Sequence, residues 1–124
     1  MNTPPTCIPN IGPRERRRRL VMGVVIAGLT VALLAWLVTA GAPRVWRLLV
    51  FVPAWIAALD VLQVRAKTCV LLAAKGVRNM DAGNEAIGDT AELTAVRAQA
   101  RAVHVQSLVA AAVATAAAMA VPTL

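Results

Sequence analysis

Three long apolar runs dominate this chain, with a short connection between the first two and a long, more polar stretch before the third. The first extends over 20–40 and holds twenty-one residues without a charged side chain. As an α-helix it would be about 31 Å long, which matches a hydrocarbon core of roughly 30 Å. Gly41 and Pro43 follow at once, and both residue types are typical of helix ends. The pattern therefore predicts a first transmembrane helix over 20–40.

The second apolar run extends over 45–64 and begins four residues after the first ends. Trp46 and Arg47 at its start are residue types that anchor a helix at a membrane interface, whereas Asp60 lies near its end. Pro53 is expected to kink this helix, because proline interrupts the hydrogen bonding of the preceding turn. The short connection predicts that the two helices form an antiparallel transmembrane hairpin.

The third apolar run, 103–121, is weaker because it contains eight alanines, which favour insertion less than leucine or isoleucine does. It is long enough to span, but the sequence leaves open whether it does. Ala110, Ala114 and Ala118 are spaced four apart, as in interfaces built from small residues. We expect this face to lie against the hairpin or against a second copy of the chain.

The helix that carries the third run is predicted to begin well before it. Asp89, followed three residues later by Glu92, is typical of a helix start, and neither glycine nor proline occurs over 90–121. One long Ala-rich helix should therefore protrude from the membrane. The predicted order is a basic segment (1–19), the hairpin (20–64), an interfacial segment with a polar loop (65–89) and the long helix (90–124).

The composition favours an all-α integral membrane protein over a soluble enzyme. Hydrophobic residues make up 59 % of the chain and the mean hydropathy is +0.68, against roughly 45 to 50 % apolar residues in a soluble domain. One histidine, one serine, two cysteines and six carboxylates supply few groups for catalysis. We predict a protein without catalytic residues, metal site or cofactor.

The basic residues predict the orientation of the helices. A cytoplasmic N-terminus places eleven arginines and lysines inside and two outside, as the positive-inside rule requires. The inside set comprises Arg14, Arg16, Arg17, Arg18, Arg19, Arg65, Lys67, Lys75, Arg78, Arg97 and Arg101, and the outside set comprises Arg44 and Arg47. The arginine block at 14–19 is therefore expected to contact anionic lipid headgroups rather than nucleic acid.

Asp60 is the only carboxylate within a predicted span. Acids inside a membrane are costly, which makes Asp60 a candidate proton or cation site. It also lies about one turn from the cytoplasmic end, where Arg65 or the arginines at the base of the first helix can pair with it. The sequence leaves both interpretations open.

Two cysteines and one histidine complete the candidate chemistry. Cys7 precedes the first span and Cys69 follows the second, so the hairpin returns both to one side of the membrane. There they would be inert thiols or a redox or sulfur-handling pair, and the opposite topology would favour a disulfide. His104 follows Arg97 and Arg101 at helical spacings, and this basic stripe is expected to contact lipid headgroups or Asp60.

Seven residues near the N-terminus follow a spaced pattern: Asn10, Ile11, Gly12, Glu15, Arg16, Arg19 and Gly23. The pattern resembles the start of the YgaP-like transmembrane domain family, which consists of small bacterial inner-membrane hairpins. Cys69, with Gly76 seven residues later, is similar to a Cys-Pro element of that family, although Val70 replaces the proline. This resemblance over 10–76 implies a bacterial inner membrane, a cytoplasmic N-terminus and self-association.

Three functions are compatible with these features. We favour a non-enzymatic inner-membrane protein that acts as a homo-oligomer or as an accessory subunit of a membrane complex, in contact with membrane lipids. The first alternative is a membrane-attached thiol or sulfur relay that uses Cys7 and Cys69. The second is a small proton-coupled transporter that uses Asp60.

Overall fold

The computed structural model describes residues 8–122 and is mostly helical (76 %). The elements in chain order are α1 (Pro13–Thr39), a 3₁₀ segment (Arg44–Val50), α2 (Phe51–Ala66), α3 (Val70–Lys75), β1 (Val77–Asn79), β2 (Asn84–Ala86) and α4 (Thr90–Ala120). Three helices in the described range are long and apolar enough to cross a membrane: α1, the 3₁₀ segment together with α2, and α4. The three predicted apolar runs are therefore all helical.

Helix α1 begins at Pro13, so the arginine block forms its first two turns rather than a separate segment before it. Gly12 precedes Pro13, whose fixed φ and missing N–H suit the first helical position. The carboxylate of Asp81 accepts hydrogen bonds from the main-chain N–H groups of Arg14 (3.1 Å) and Glu15 (3.4 Å). An acid from a distant turn therefore supplies the cap that Gly12 has no side chain to provide.

The second span changes helix type before Pro53. The 3₁₀ stretch from Arg44 to Val50 leads into α2, and Pro53 is the third residue of that α-helix. Its missing N–H falls in the first turn, where main-chain donors have no partner within an α-helix. Pro53 therefore marks the start of the α-helical part instead of kinking its middle.

Helix α1 contacts the second span near both of its own ends. Gly23, near the start of α1, faces Asp60 and Val61 near the end of α2, and a Cβ at Gly23 would lie 3.0 Å from Asp60 Cβ. Leu37, near the end of α1, is buried and borders the same apolar groove as Leu49. The absence of a side chain at Gly23 lets the two helices approach closely.

Helix α4 lies along the second span over most of its length. The indole Nε1 of Trp55 donates to Ser107 Oγ (3.1 Å) about halfway along α4. Near the end of α4, Nη1 of the buried Arg47 donates to the carbonyl of Ala118 (2.9 Å) and also to that of Val121. The last carbonyls of α4 thus find a donor outside their own helix.

The buried face of α4 differs by one position from the predicted small-residue face. Its buried residues recur every three or four positions: Val96, Ala100, Val103, Ser107, Ala111, Thr115 and Ala118. Ala118 belongs to both faces and Ala114 is half-buried, but Ala110 is exposed. Ala111 takes its place because it stands four residues after the fully buried Ser107, on the same side of the helix.

Beyond one end of the long helices the chain builds a small cap, formed by residues 8–12, 67–89 and the first three turns of α4. Strands β1 and β2 pair antiparallel within the cap, with Val77 opposite Ala86, where the sequence predicts only a polar loop. The cap core consists of Ala73, Ile87, Val96 and Ala100, with Ile8, Val70 and Leu93 packed against it. The segment predicted to lie at the interface is therefore part of a folded unit.

Asn10 fastens the N-terminal segment to this cap. Its side chain accepts a hydrogen bond from the N–H of Cys69 (2.6 Å) and donates one to the Cys69 carbonyl (3.1 Å). Its main-chain N–H donates to the Lys67 carbonyl, and its carbonyl accepts from the N–H of Asn79. Asn10 and the following Ile11 are fully buried. One asparagine therefore joins three separate stretches of chain.

Candidate functional site

A cleft lies where the long helices meet the cap. We call it the polar cleft for the polar side chains at its edge, although most of its lining is apolar. It has a volume of about 430 Å³ and is bordered by α1, α2, α3 and α4. The polar side chains around it are Arg19, Asp60, Gln63, Cys69 and His104. These residues meet because α1 starts, α2 ends and α4 joins the other helices at the same level. The cleft is the candidate functional site of the described chain.

Asp60 separates this cleft from a second cavity of about 320 Å³, which Glu15 and Arg19 also line. The carboxylates that form ion pairs within residues 8–122 are Glu15, Glu85 and Glu92, and Asp60 is not among them. Arg19 shares both cavities with Asp60 but pairs with Glu15 at 3.7 Å. Asp60 therefore faces an arginine without forming an ion pair with it.

The predicted pair between Asp60 and Arg65 does not form in the described part of the chain. Arg65 lies in a different pocket, beside Gln106 of α4. Five positions along an α-helix correspond to a rotation of about 140° away from the starting direction. Asp60 and Arg65 therefore project from different sides of α2.

Cys69 is buried and has a structural role at the start of α3. Its Sγ accepts a hydrogen bond from the N–H of Leu72 (3.5 Å), and only 3 % of the residue is exposed. Cys7, the other member of the predicted pair, lies outside the described residues. Ile8 donates its N–H to the side chain of Gln99 (2.8 Å), whose amide donates to Thr68 Oγ (2.9 Å). The chain that follows Cys7 is thus tied next to Cys69.

His104 stands at the mouth of the cleft, in contact with an aromatic side chain. Its ring meets that of Trp55 edge to face, with 6.0 Å between the ring centroids. Ser107 Oγ donates to the carbonyl of His104 (2.7 Å) while it accepts the indole N–H of Trp55. This network fixes the contact between α2 and α4 and positions His104 beside the polar cleft.

Arg97 and Arg101 share a smaller groove with His104, as the basic stripe predicts. Arg97 Nε donates to the carbonyl of Ala73 (3.3 Å) at the end of α3. Arg14, Arg16, Arg17, Arg18 and Arg19 lie instead in the first two turns of α1. The predicted headgroup contacts therefore divide into two basic surfaces, one on α1 and one on α4.

The sequence pattern assigns no role to two glutamines that hold the cleft together. Gln63 is buried, and its Oε1 accepts from the N–H of Val70 (3.0 Å). Gln99 exchanges hydrogen bonds with the main chain of Ile8, at 2.8 Å in both directions. Amide side chains are uncommon in apolar helix faces unless they are hydrogen-bonded, and that rarity is the signal by which both could be found.

Arg47 also differs from its predicted role as a surface anchor. Only 1 % of the residue is exposed, and its guanidinium caps the end of α4. Its Nε and Nη2 atoms are buried without a partner among the described residues. Arg47, which was expected at the membrane surface, is thus buried between the second span and α4.

The three apolar helices indicate a membrane protein. No group of three or more His, Cys, Asp or Glu side chains that could hold a metal ion occurs in the part of the chain the structure describes. No family model matches the sequence, and no curated protein and no solved structure is significantly similar to it. The resemblance to the YgaP-like family therefore stays a prediction.

Proposed function

We propose that this chain is a non-enzymatic, multi-pass protein of a bacterial inner membrane that acts as a homo-oligomer or as an accessory subunit of a membrane complex. Its first two spans form an antiparallel hairpin, and its N-terminus and cap lie in the cytoplasm. The reversed order of contacts between α1 and the second span supports the hairpin. Eleven of the thirteen basic residues lie in the cap or in the ends of the long helices next to it, whereas Arg44 and Arg47 lie at the far end, which supports this orientation.

The observation that carries the proposal is that fully buried polar side chains form hydrogen bonds between distant segments of the chain. Asn10 bonds the main chain at Cys69, Ser107 accepts the indole N–H of Trp55, and Arg47 caps the end of α4. Each one joins segments that are distant in the sequence. Buried polar groups of this kind specify one helix arrangement, as expected of a structural protein whose working surface is its exterior.

The exterior of the long helices is strongly apolar. Val105, Val109 and Val113 are 53 to 64 % exposed and form a ridge along α4. On α1, Leu29 and Val31 are 63 and 69 % exposed. Surfaces of this kind are stable only when covered by lipid tails or by other transmembrane helices.

Topology is tested with single cysteines in a background that lacks Cys7 and Cys69. Gly88→Cys places a thiol on the exposed cap, and Val45→Cys places one at the opposite end. A membrane-impermeant maleimide should label Val45→Cys in intact cells and Gly88→Cys only after permeabilisation. The reverse pattern, or labelling of both in intact cells, would contradict the proposed orientation.

Assembly is tested on the purified full chain in detergent. Light scattering should give a protein mass above that of one chain, or one chain should co-purify with a defined membrane partner. Cys69→Ala should leave that mass unchanged, because the thiol contributes only one long hydrogen bond. A lone monomer at every concentration, without a partner, would contradict the proposal.

A thiol or sulfur relay through Cys7 and Cys69 is the second candidate function. It is favoured by the hydrogen bonds of Gln99 with Ile8 and with Thr68. Ile8 follows Cys7 and Thr68 precedes Cys69, so these bonds bring together the residues next to the two cysteines. Controlled oxidation should then yield an intramolecular disulfide that is lost in both Cys7→Ala and Cys69→Ala. Oxidation products that are identical in all three proteins would exclude a relay.

A small proton-coupled transporter is the third candidate. It is favoured by the position of Asp60 between two cavities, beside Arg19 but without an ion pair. Proton uptake into proteoliposomes should then disappear in Asp60→Asn and persist in Glu85→Gln, which changes an exposed acid outside the long helices. Equal fluxes in both variants would remove this candidate.

The resemblance to the YgaP-like transmembrane domain family is retained as a proposal. The residues that carry it lie at close contacts in the structure. Asn10 joins the N-terminal segment to Cys69, and Gly23 lets α1 approach α2. A Cβ at Gly12 would lie 2.6 Å from Cγ of Asp81. The pattern therefore coincides with positions where other side chains would not fit or would not bond.

A further inference from the structure

A shallow groove runs between α3 and α4 on the outer side of the cap. It has a volume of about 220 Å³. Its floor is apolar and consists of Val70, Ala73, Ala74 and Ala100. His104, at one end, also borders the polar cleft, so the groove opens toward the region where α4 joins the other long helices.

One rim of the groove is basic. Arg97, Arg101 and His104 stand on one face of α4 at intervals of four and three residues, and all three are exposed. The hydrogen bond from Arg97 Nε to the carbonyl of Ala73 (3.3 Å) holds that guanidinium over the groove. The carboxylates that form ion pairs within residues 8–122 contact Arg18, Arg19 and Arg78. Arg97 and Arg101 therefore present charge that no described carboxylate neutralises.

The position of the groove along α4 matches the boundary of a membrane. The apolar run of α4 starts at Val103, between Arg101 and His104. Arg97 lies about 10 Å along the helix axis from His104, and the headgroup layer on each side of a bilayer is roughly 5 to 7 Å thick. The basic rim thus extends through the headgroup layer with the apolar floor beside it, and the end of the groove at His104 reaches the start of the apolar run.

We propose that this groove binds a single anionic phospholipid. The lipid phosphate contacts the guanidinium groups of Arg97 and Arg101, and one acyl chain lies on the floor formed by Val70 and Ala74. The site rests on the proposed function in one respect, which is that the long helices cross a membrane with the cap at its cytoplasmic face.

Charge and shape together select this occupant. A guanidinium presents parallel N–H donors that match two phosphate oxygens, and basic grooves between helices on the cytoplasmic side are typical of sites for anionic headgroups. An acidic peptide would satisfy the arginines equally well but would leave the apolar floor uncovered. A phospholipid supplies both an anion and a hydrocarbon chain at this depth.

The test uses the full chain reconstituted in bilayers of mixed phosphatidylcholine and phosphatidylglycerol, then released gently for native mass spectrometry. Arg101→Gln removes one of the two phosphate contacts. Arg17→Gln is the matched control, because it removes the same charge from an exposed position on α1, away from the groove. Ala74→Phe is a second variant, which fills the groove from an exposed position and keeps the net charge.

We expect the wild-type chain to retain one phosphatidylglycerol in preference to phosphatidylcholine. Retention should fall about tenfold in Arg101→Gln, as for the loss of a charge-assisted hydrogen bond. It should fall similarly in Ala74→Phe and less than about twofold in Arg17→Gln. Equal losses in Arg101→Gln and Arg17→Gln would overturn the site, because they would show a general attraction to anionic surfaces. Retention of an acidic protein in place of lipid would overturn it too.

The same spectra separate this site from the proposed function. Phosphatidylglycerol retained on a single chain would support the groove site and contradict self-association. An oligomer that retains phosphatidylcholine and phosphatidylglycerol equally would contradict the groove site alone. The labelling of Gly88→Cys and Val45→Cys tests the orientation independently of both.

Discussion

Replacing Asn10 by alanine should loosen the cap while the long helices stay folded. The Asn10 side chain satisfies both main-chain polar groups of Cys69, at 2.6 and 3.1 Å, in a fully buried site. Alanine would leave that N–H without a partner, whereas the carbonyl would keep the hydrogen bond from the N–H of Ala73 (3.0 Å). Since a buried unsatisfied group costs about 1 to 3 kcal/mol, the free energy of opening the cap should fall by about 1 to 3 kcal/mol.

The thiol of Cys69 itself reports this opening. Only 3 % of Cys69 is exposed, so a thiol reagent reacts with it when the cap opens. In a Cys7→Ala background, Cys69 is the only cysteine in the sequence. When opening and closing are fast relative to labelling, the labelling rate follows the open population. A loss of 2 kcal/mol then corresponds to labelling that is about 30-fold faster.

The matched control is Asn84→Ala, which removes an exposed asparagine from β2. Asn84 accepts one exposed hydrogen bond from the side chain of Asn79 (3.1 Å), so the labelling rate of Cys69 should change by less than about threefold. If Asn10→Ala left the rate unchanged, or if both variants raised it equally, the hydrogen bonds of Asn10 would not be what holds the cap closed.

Three further predictions concern the contacts between the long helices. Gly23→Ala should lower the free energy of unfolding by about 1 kcal/mol or more, because the new Cβ would lie 3.0 Å from α2. Gly28→Ala should be neutral or slightly stabilising, because a Cβ at Gly28 would meet no atom within 4 Å. Thermal melting in detergent compares the two, and equal melting temperatures would refute the close approach. Ser107→Ala and Trp55→Phe should each lower the free energy of unfolding by about 1 kcal/mol, and the double variant should lose no more than either single one. A double-mutant cycle measures this, and additive losses would argue against their hydrogen bond. Arg47→Met should speed amide hydrogen exchange in the last turn of α4 but not in its first, and unchanged protection there would show that the guanidinium is not the cap.

The long helices could be predicted from the sequence because their signals are local. An uninterrupted apolar run, a glycine or proline after it and an acid before it act within a few residues of the helix ends. Asp89 illustrates this, since its carboxylate accepts from the N–H of Ala91 (2.9 Å), two residues away. The start of α1 was harder to place, because its cap comes from Asp81, far along the chain.

The candidate site could be predicted only as separate residues. Asp60, Cys69 and His104 each stand out by residue type and position, but their meeting in one cleft depends on how α1, α2 and α4 align. The helical angle between Asp60 and Arg65 was available from their spacing and argues against a pair. For predicting an ion pair, the side of the helix on which Asp60 and Arg65 lie is therefore more informative than their shared closeness to the cytoplasmic end.

In the cap, local sequence patterns no longer suffice, and the contacts depend on the tertiary fold. The apolar helices follow from the sequence alone, because hydrophobic periodicity and helix-ending residues are properties of neighbouring positions. The sequence could not, however, predict the small cap. It could not reveal a hairpin with strands of three residues, which have too few positions to show an alternating pattern. Nor could it reveal that Asn10 bonds Cys69, 59 positions away. Such contacts form only when the folded helices bring distant polar groups together and exclude the water that would otherwise satisfy them.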